Sequence, residues 1–257
     1  MRLDRSREPI FNIPAVVIAV LAALAIVHGV REWLLPVDLD RLAVFAFGFV
    51  PARYDASALT DGIIPGGRGA AFWSFVTYSL LHADLVHLGF NAVWLVAFGS
   101  PVARRFGPWR FLAFFAVTVA AGAVAHLLTH AGELAPMIGA SAAISGTMGA
   151  AARFAFAPGG PLDVWHGDRT HADRIPAAPL SIALRNPRVI AFLAVWFGLN
   201  LLFGLGSLPI AGESQNVAWQ AHLGGFLAGL LLFSAFDPPR PAPNLPELPD
   251  FDGFTRR

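Results

Sequence analysis

Apolar residues run along this chain in long, nearly unbroken stretches, without the alternation of a half-buried strand. Roughly 20 mostly apolar residues make a helix that crosses a bilayer. Six stretches approach that length: Phe11–Val30, His87–Ala103, Arg110–His130, Met137–Ala157, Val189–Leu208 and Val217–Ala235. Pro, Gly or charge bounds them, as at Gly107-Pro108, at Gly132 with Glu133 and Pro136, and at Pro158-Gly159-Gly160-Pro161. Pro187 with Arg188 and Asp237-Pro238-Pro239 bound the last two. The first stretch is longer than the apolar region of a cleaved signal peptide and continues into Arg31, Glu32 and Trp33, so it reads as a retained span. Six spans put both termini on one side of the membrane.

Composition agrees with a membrane setting. Of 257 residues, 56% are hydrophobic and 14% charged, where an ordinary soluble domain carries about 25% charged residues. A formal net charge of +1 argues against a nucleic-acid binder, which needs clustered basic residues to neutralise phosphates. The absence of Cys excludes disulfides, thiolate metal sites and cysteine nucleophiles. Every basic residue is Arg, and their positions orient the chain. With the N-terminus in the cytoplasm, Arg2, Arg5, Arg7, Arg104, Arg105, Arg110, Arg153, Arg169, Arg174, Arg185, Arg188, Arg240, Arg256 and Arg257 fall inside. Only Arg31, Arg41, Arg53 and Arg68 fall outside, in or beside one long loop. The expectation is N-in, C-in, as in a bacterial inner membrane.

Three segments between the spans have their own character. The loop Leu34–Val86 holds an apolar run around Phe45, Phe47 and Phe49, a Gly/Pro stretch, and Ala71-Phe72-Trp73-Ser74-Phe75, a pattern suited to the membrane interface. Pro158–Arg185, with His166 and His171, is a polar cytoplasmic loop; Gly204–Asn216, with three Gly and Pro209, is suited to a mobile gate. The expected organisation is a cytoplasmic tail over 1–10, a membrane domain over 11–236 and a Pro-rich, disordered cytoplasmic tail over 237–257.

Polar residues inside apolar spans are the informative exceptions, because lipid cannot satisfy them. They are His82, His87 and Asn91 around the start of the second span, His126 and His130 at the end of the third, Ser141 and Ser145 in the fourth, and His222 in the sixth. No Asp or Glu lies deep in a span, which removes an aspartyl intramembrane protease and a carboxylate proton relay. His126-Leu127-Leu128-Thr129-His130 has the two-histidine spacing of a zinc helix but lacks the glutamate of H-E-x-x-H, so no metal is expected. The fourth span is dense in small residues, with Ser141, Ser145 and Gly149 forming a stripe. The sixth answers with Gly225 and Gly229 one turn and two turns beyond His222. Such faces let helices approach closely, and plain helix packing is one reading of them. A second reading follows from depth. Ser141 and His222 each lie about five residues inside the outer edge, roughly 7 Å at 1.5 Å per residue, level with His87 and Asn91 on the second span. A nucleophile, a base and spare donors on one level are what acyl transfer requires.

At these residues the chain resembles the rhomboid family of intramembrane serine proteases. The resemblance runs from about Trp73 to Gly229 and rests on His82-(x4)-His87-(x3)-Asn91, Gly139-Ala140-Ser141, and Ala221-His222-(x2)-Gly225-(x3)-Gly229. It implies an all-α, six-helix membrane bundle with a long interfacial first loop and a cavity opening outward. It implies Ser141 as nucleophile and His222 as general base, a dyad with no acidic third member, with His87, Asn91 and the Ser141 N–H forming the oxyanion hole. It implies structural roles for His82, Gly139, Gly225 and Gly229. The partners implied are the bilayer and single-span or other membrane-protein substrates; no cofactor and no nucleic acid are called for.

The chain departs from the family pattern in four places. Ala142 stands where Gly usually follows the nucleophile, and Ser145 where many members carry an aromatic that stacks on the histidine. Ser74 follows Trp73 where Arg is usual, and Ala103 precedes the basic pair Arg104-Arg105 where Glu is common. Two other classes compete with the protease. A catalytically inactive, client-binding relative would be expected to lack the serine or the histidine. A small transporter would carry polar residues through to the inner side, whereas below Ser145 the fourth and sixth spans are mostly Gly, Ala, Leu and Phe, with Thr147, Arg153 and Ser234 the polar exceptions.

Overall fold

The computed structural model describes residues 13–55, 64–162, 175–204 and 218–238. The tail 1–10, all of the tail 237–257 beyond its first two residues, His166, His171 and nearly all of the expected gate Gly204–Asn216 lie outside the described residues. The described chain is helical: α1 (Ala15–Trp33), α2 (Val37–Phe47), α3 (Gly67–Thr77), α4 (Leu85–Trp94), α5 (Ser100–Phe106), α6 (Pro108–Thr129), α7 (Ser141–Ala151), α8 (Leu180–Ala183), α9 (Pro187–Gly204) and α10 (Trp219–Phe236). A π-helical turn, Leu95–Gly99, joins α4 to α5 in one continuous run. Four helical runs are long and apolar enough to cross a membrane: α1, α4 through α5, α6 and α10. Two further helices, α7 and α9, overlap the stretches Met137–Ala157 and Val189–Leu208. The protein is an integral membrane protein.

The fourth of these helices differs from its expected form. The hydropathy pattern predicts a span over Met137–Ala157, but α7 has 11 residues, about 16 Å and so roughly half of a bilayer core. Helix cannot begin at Met137 because that residue exchanges backbone hydrogen bonds with Phe49 at 2.8 and 3.0 Å. Two residues on, Gly139 takes φ of 121°, open to glycine and costly for other residues. Every residue from Ala142 to Ala151 is buried, so α7 is surrounded by protein and is free of the length that lipid would impose. Its most extensive neighbour is α10, followed by α6.

The contact between α7 and α10 is made backbone to backbone. A Cβ placed on Gly225 would run into the Ala142 carbonyl, and one on Gly229 into the Gly146 carbonyl. One on Gly149 would meet the Phe226 carbonyl oxygen and come within 2.9 Å of the Leu230 nitrogen. The ridge facing Gly225 and Gly229 is therefore Ala142–Gly146–Gly149, not the stripe Ser141–Ser145–Gly149 read from the sequence.

The long first loop is folded. Its aromatic run forms α3, held against α2 by side chains that cap the exposed carbonyls at the α2 C-terminus. Trp73 Nε1 donates to the Ala46 carbonyl at 2.8 Å, Thr77 Oγ1 to the Phe47 carbonyl at 2.6 Å and Arg53 to the Phe45 carbonyl at 2.8 Å. Phe72, Trp73, Leu39, Leu42 and Phe47 keep apolar surface exposed, as an interfacial segment requires.

At the opposite end from Ser141 and His222, Arg105 of α5 donates from Nε and Nη2 to the two oxygens of Asp237 at 2.7 and 2.8 Å. Its side chain is only 2% exposed and lies over the rings of Phe154 and Phe233. Removing one partner strands a buried charge. Asp237→Ala is expected to cost on the order of 3 kcal/mol, read as a lower melting temperature in detergent.

Candidate active site

Each site residue is positioned by a local device. Tyr78 is fully buried; its hydroxyl donates to the Val119 carbonyl on α6 at 2.9 Å, and its own carbonyl accepts the Gly139 N–H at 3.0 Å. That pair of bonds and the Phe49–Met137 bridge fix the segment leading into α7. The turn at Gly139 then delivers Ser141 as the first residue of the helix, where backbone N–H groups have no carbonyl one turn back. His222 lies in the first turn of α10.

Ser141 Oγ and His222 Nε2 are 2.7 Å apart. The two residues expected to form the dyad thus meet across the α7–α10 contact, although 81 positions separate them in the chain.

The second span supplies the neighbours of this pair. Asp84 caps α4, accepting the His87 N–H at 2.8 Å. The His87 imidazole lies over the backbone of Gly139, where a Cβ would come within 2.8 Å of Nε2; only glycine leaves room for that ring. The same Cβ would be 3.7 Å from Ser141 Oγ, so His87 borders the serine. Asn91 is buried one turn further along α4, and its Nδ2 donates to the His87 carbonyl at 2.9 Å. His82 is buried with its ring edge-on to His87, centroids 5.1 Å apart. Its carbonyl accepts from Arg31 Nη1 at 2.8 Å, and Arg31 also pairs with Asp40. Loss of solvation pushes the His82 imidazole down to about 3, so it packs as a neutral ring at neutral pH.

Two other polar sites from the sequence stand apart. His126 and His130 stack ring on ring at 4.2 Å at the end of α6. Among the described residues no three His, Asp or Glu side chains are grouped to hold a metal ion. Ser145 is buried within α7.

One site residue escaped the sequence reading. Asn200 of α9 places Oδ1 2.6 Å from His222 Nδ1, and its Nδ2 donates to the Trp196 carbonyl at 2.8 Å. The signal was present: an amide within Gly198-Leu199-Asn200-Leu201-Leu202 is a polar group that lipid cannot satisfy, as telling as the four places singled out above.

Comparison with known proteins bears on the same stretch. A family model described as Rhomboid domain matches residues 69–236, more than half of the chain. A relative named Rhomboid protease GluP, from Bacillus subtilis (strain 168), is 35% identical over 79 residues, 31% of this chain. The match spans 15% of the length of that relative.

Proposed function

The chain belongs to the rhomboid family, and from that premise we propose that it is an intramembrane serine endopeptidase with Ser141 as nucleophile and His222 as general base. The observation that carries the proposal is the 2.7 Å contact between Ser141 Oγ and His222 Nε2. A hydroxyl hydrogen-bonded to an imidazole is the pairing that activates a serine at neutral pH.

The chemistry follows from that pair. His222 Nε2 takes the hydroxyl proton as Oγ bonds to the scissile carbonyl carbon, and the carbonyl electrons move onto oxygen. The Ser141 N–H at the start of α7, with His87 and Asn91 nearby, supplies donors for that oxyanion, and the positive end of the helix dipole favours it. Collapse breaks the C–N bond, with the His222 proton passing to the leaving amine. Water, deprotonated by the same imidazole, then hydrolyses the acyl ester and regenerates Ser141. The sequence of steps needs no cofactor.

The substrate in this reading is another membrane protein, single-span or larger, whose helix unwinds locally near its outer end. Gly or Pro there lowers the cost of unwinding. The accompanying topology has six spans with both termini in the cytoplasm, in a bacterial inner membrane. Two features support it: Arg105, Asp237 and Arg153 gather at the end of the bundle opposite the Ser–His pair, and Arg is enriched on cytoplasmic flanks. The test is cleavage of a single-span reporter by the purified chain reconstituted in vesicles. Cleavage within or beside the reporter span, together with covalent labelling by a fluorophosphonate, is expected. An intact reporter and an unlabelled protein would leave client binding without proteolysis as the better reading.

Asn91 gives a sharper prediction. One oxyanion donor is worth about 10²–10³ in turnover, so Asn91→Ala is expected to lower kcat by roughly 10- to 10³-fold, the lower end reflecting its sharing of that task. The check is turnover beside a detergent melting curve. Unchanged turnover in a folded variant would remove Asn91 from the mechanism.

A further inference from the structure

The hydrogen bonds on the far side of His222 form a chain whose direction is fixed at one end. The Trp196 carbonyl can only accept, so the Asn200 atom 2.8 Å from it is the amide donor Nδ2. The other face of that amide is then Oδ1, an acceptor, and it meets His222 Nδ1 at 2.6 Å. Nδ1 must therefore carry the proton. A neutral imidazole protonated at Nδ1 has its lone pair on Nε2, the atom 2.7 Å from Ser141 Oγ. No step in this chain leaves a choice of tautomer.

We propose, resting on the proteolytic reading above, that Asn200 is the positioning residue of a Ser141–His222–Asn200 triad, holding His222 in the tautomer and orientation of a base toward Ser141. Three observations carry it together. Both polar faces of the amide are engaged, so Asn200 is not a surface side chain that happens to reach the ring. The bond ties α10 to α9, a helix that touches α10 far more sparingly than α7 or α6 does, so little else on α9 fixes the imidazole plane. The surroundings are apolar: Asn200 borders a cavity of about 200 Å³ with Trp196, Phe197, Leu201, Trp219 and Leu223 in its wall. A hydrogen bond is electrostatically stronger in such a setting than in water.

The residue type also suits its depth. When His222 takes the serine proton, both ring N–H groups need acceptors, and Asn200 Oδ1 already holds one of them in a bond that strengthens with the charge. A carboxylate would do the same but would itself be a costly charge at membrane depth. A neutral amide orients the base without that cost.

Two measurements test the proposal in the reconstituted chain. The first is ¹⁵N spectroscopy of labelled histidine in Ser141→Ala, with the His222 signal assigned by its loss on His222→Ala. The neutral ring is expected as a single tautomer protonated at Nδ1, and Asn200→Ala in the same background is expected to give a mixture. The second is turnover of Asn200→Ala on a single-span reporter: kcat falls by about 10–10²-fold, as for a catalytic group displaced by about 1 Å, while KM is unchanged because no substrate contact is lost. A dominant Nε2–H tautomer in the Asn200-containing chain overturns the proposal whether or not the alanine variant folds. So does unchanged kcat in a folded Asn200→Ala protein. A chain that shows the Nδ1–H tautomer but neither cleaves nor labels sinks the proteolytic reading instead, so the two failures are distinguishable.

Discussion

Ser141→Ala is expected to abolish cleavage of a single-span reporter and covalent labelling by a fluorophosphonate, with a loss on the order of 10⁶-fold in turnover, as when a serine protease loses its nucleophile. The hydroxyl is the atom 2.7 Å from His222 Nε2, and nothing else on the first turn of α7 can replace it: the next three residues are Ala142, Ala143 and Ile144. The fold should survive, because Ser141 is the one residue of α7 that is not buried, and alanine is a good helix former. Ser145→Ala is the matched control. It removes the same hydroxyl one turn deeper in the same helix, from a residue outside the Ser141–His222–Asn200 chain, and should keep both cleavage and labelling. The readout is reporter cleavage and mass-spectrometric location of the probe. Label on Ser145, or cleavage surviving in Ser141→Ala, would move the nucleophile elsewhere.

How far the sequence alone leads is clearest at α7. Hydropathy locates α1, α6 and α10 to within a few residues, because a lipid-facing helix must be apolar over its whole length. It misjudges α7, because a helix wrapped by protein answers to its neighbours. Its start is set by the Phe49–Met137 bridge and by the Gly139 turn, contacts between segments about 90 residues apart in sequence. The small-residue ridge is Ala142–Gly146–Gly149: the helical period relates residues along α7 to one another, but tertiary contacts decide which face meets α10. Ser141 and His222 were legible because polar groups in a span must find partners and because small residues on both helices announce a close crossing. Asn200 was equally subject to the first rule, but the small residues of α9, Ala191, Ala194 and Gly198, are exposed and mark no close crossing. The folding of the first loop into α2 and α3 rests on side-chain to carbonyl bonds across 27 to 30 residues, which periodicity does not register.

Gly225→Val is expected to lose activity nearly as fully as His222→Ala, although it carries no catalytic group. Gly225 is one turn from His222, and a Cβ there would collide with the carbonyl oxygen of Ala142 and lie 2.7 Å from its carbonyl carbon. The obstacle is backbone, which cannot swing aside as a flexible side chain does, so α7 or α10 must move. Ala142 is adjacent to Ser141, so any shift that relieves the clash is passed to Ser141 directly. An error of about 1 Å in placing a catalytic group can cost on the order of 10²-fold, and valine adds three heavy atoms to a contact with no room for the first. Gly225→Ala should fall between wild type and valine and serves if the valine variant fails to accumulate. Leu231→Val, at a side chain 60% exposed on the same helix, should be close to neutral. Turnover is measured beside thermal stability in detergent for each. Full activity in a stably folded Gly225→Val protein would show that α7 and α10 do not meet at this level, and the Ser141–His222 geometry that depends on their contact would fall with it.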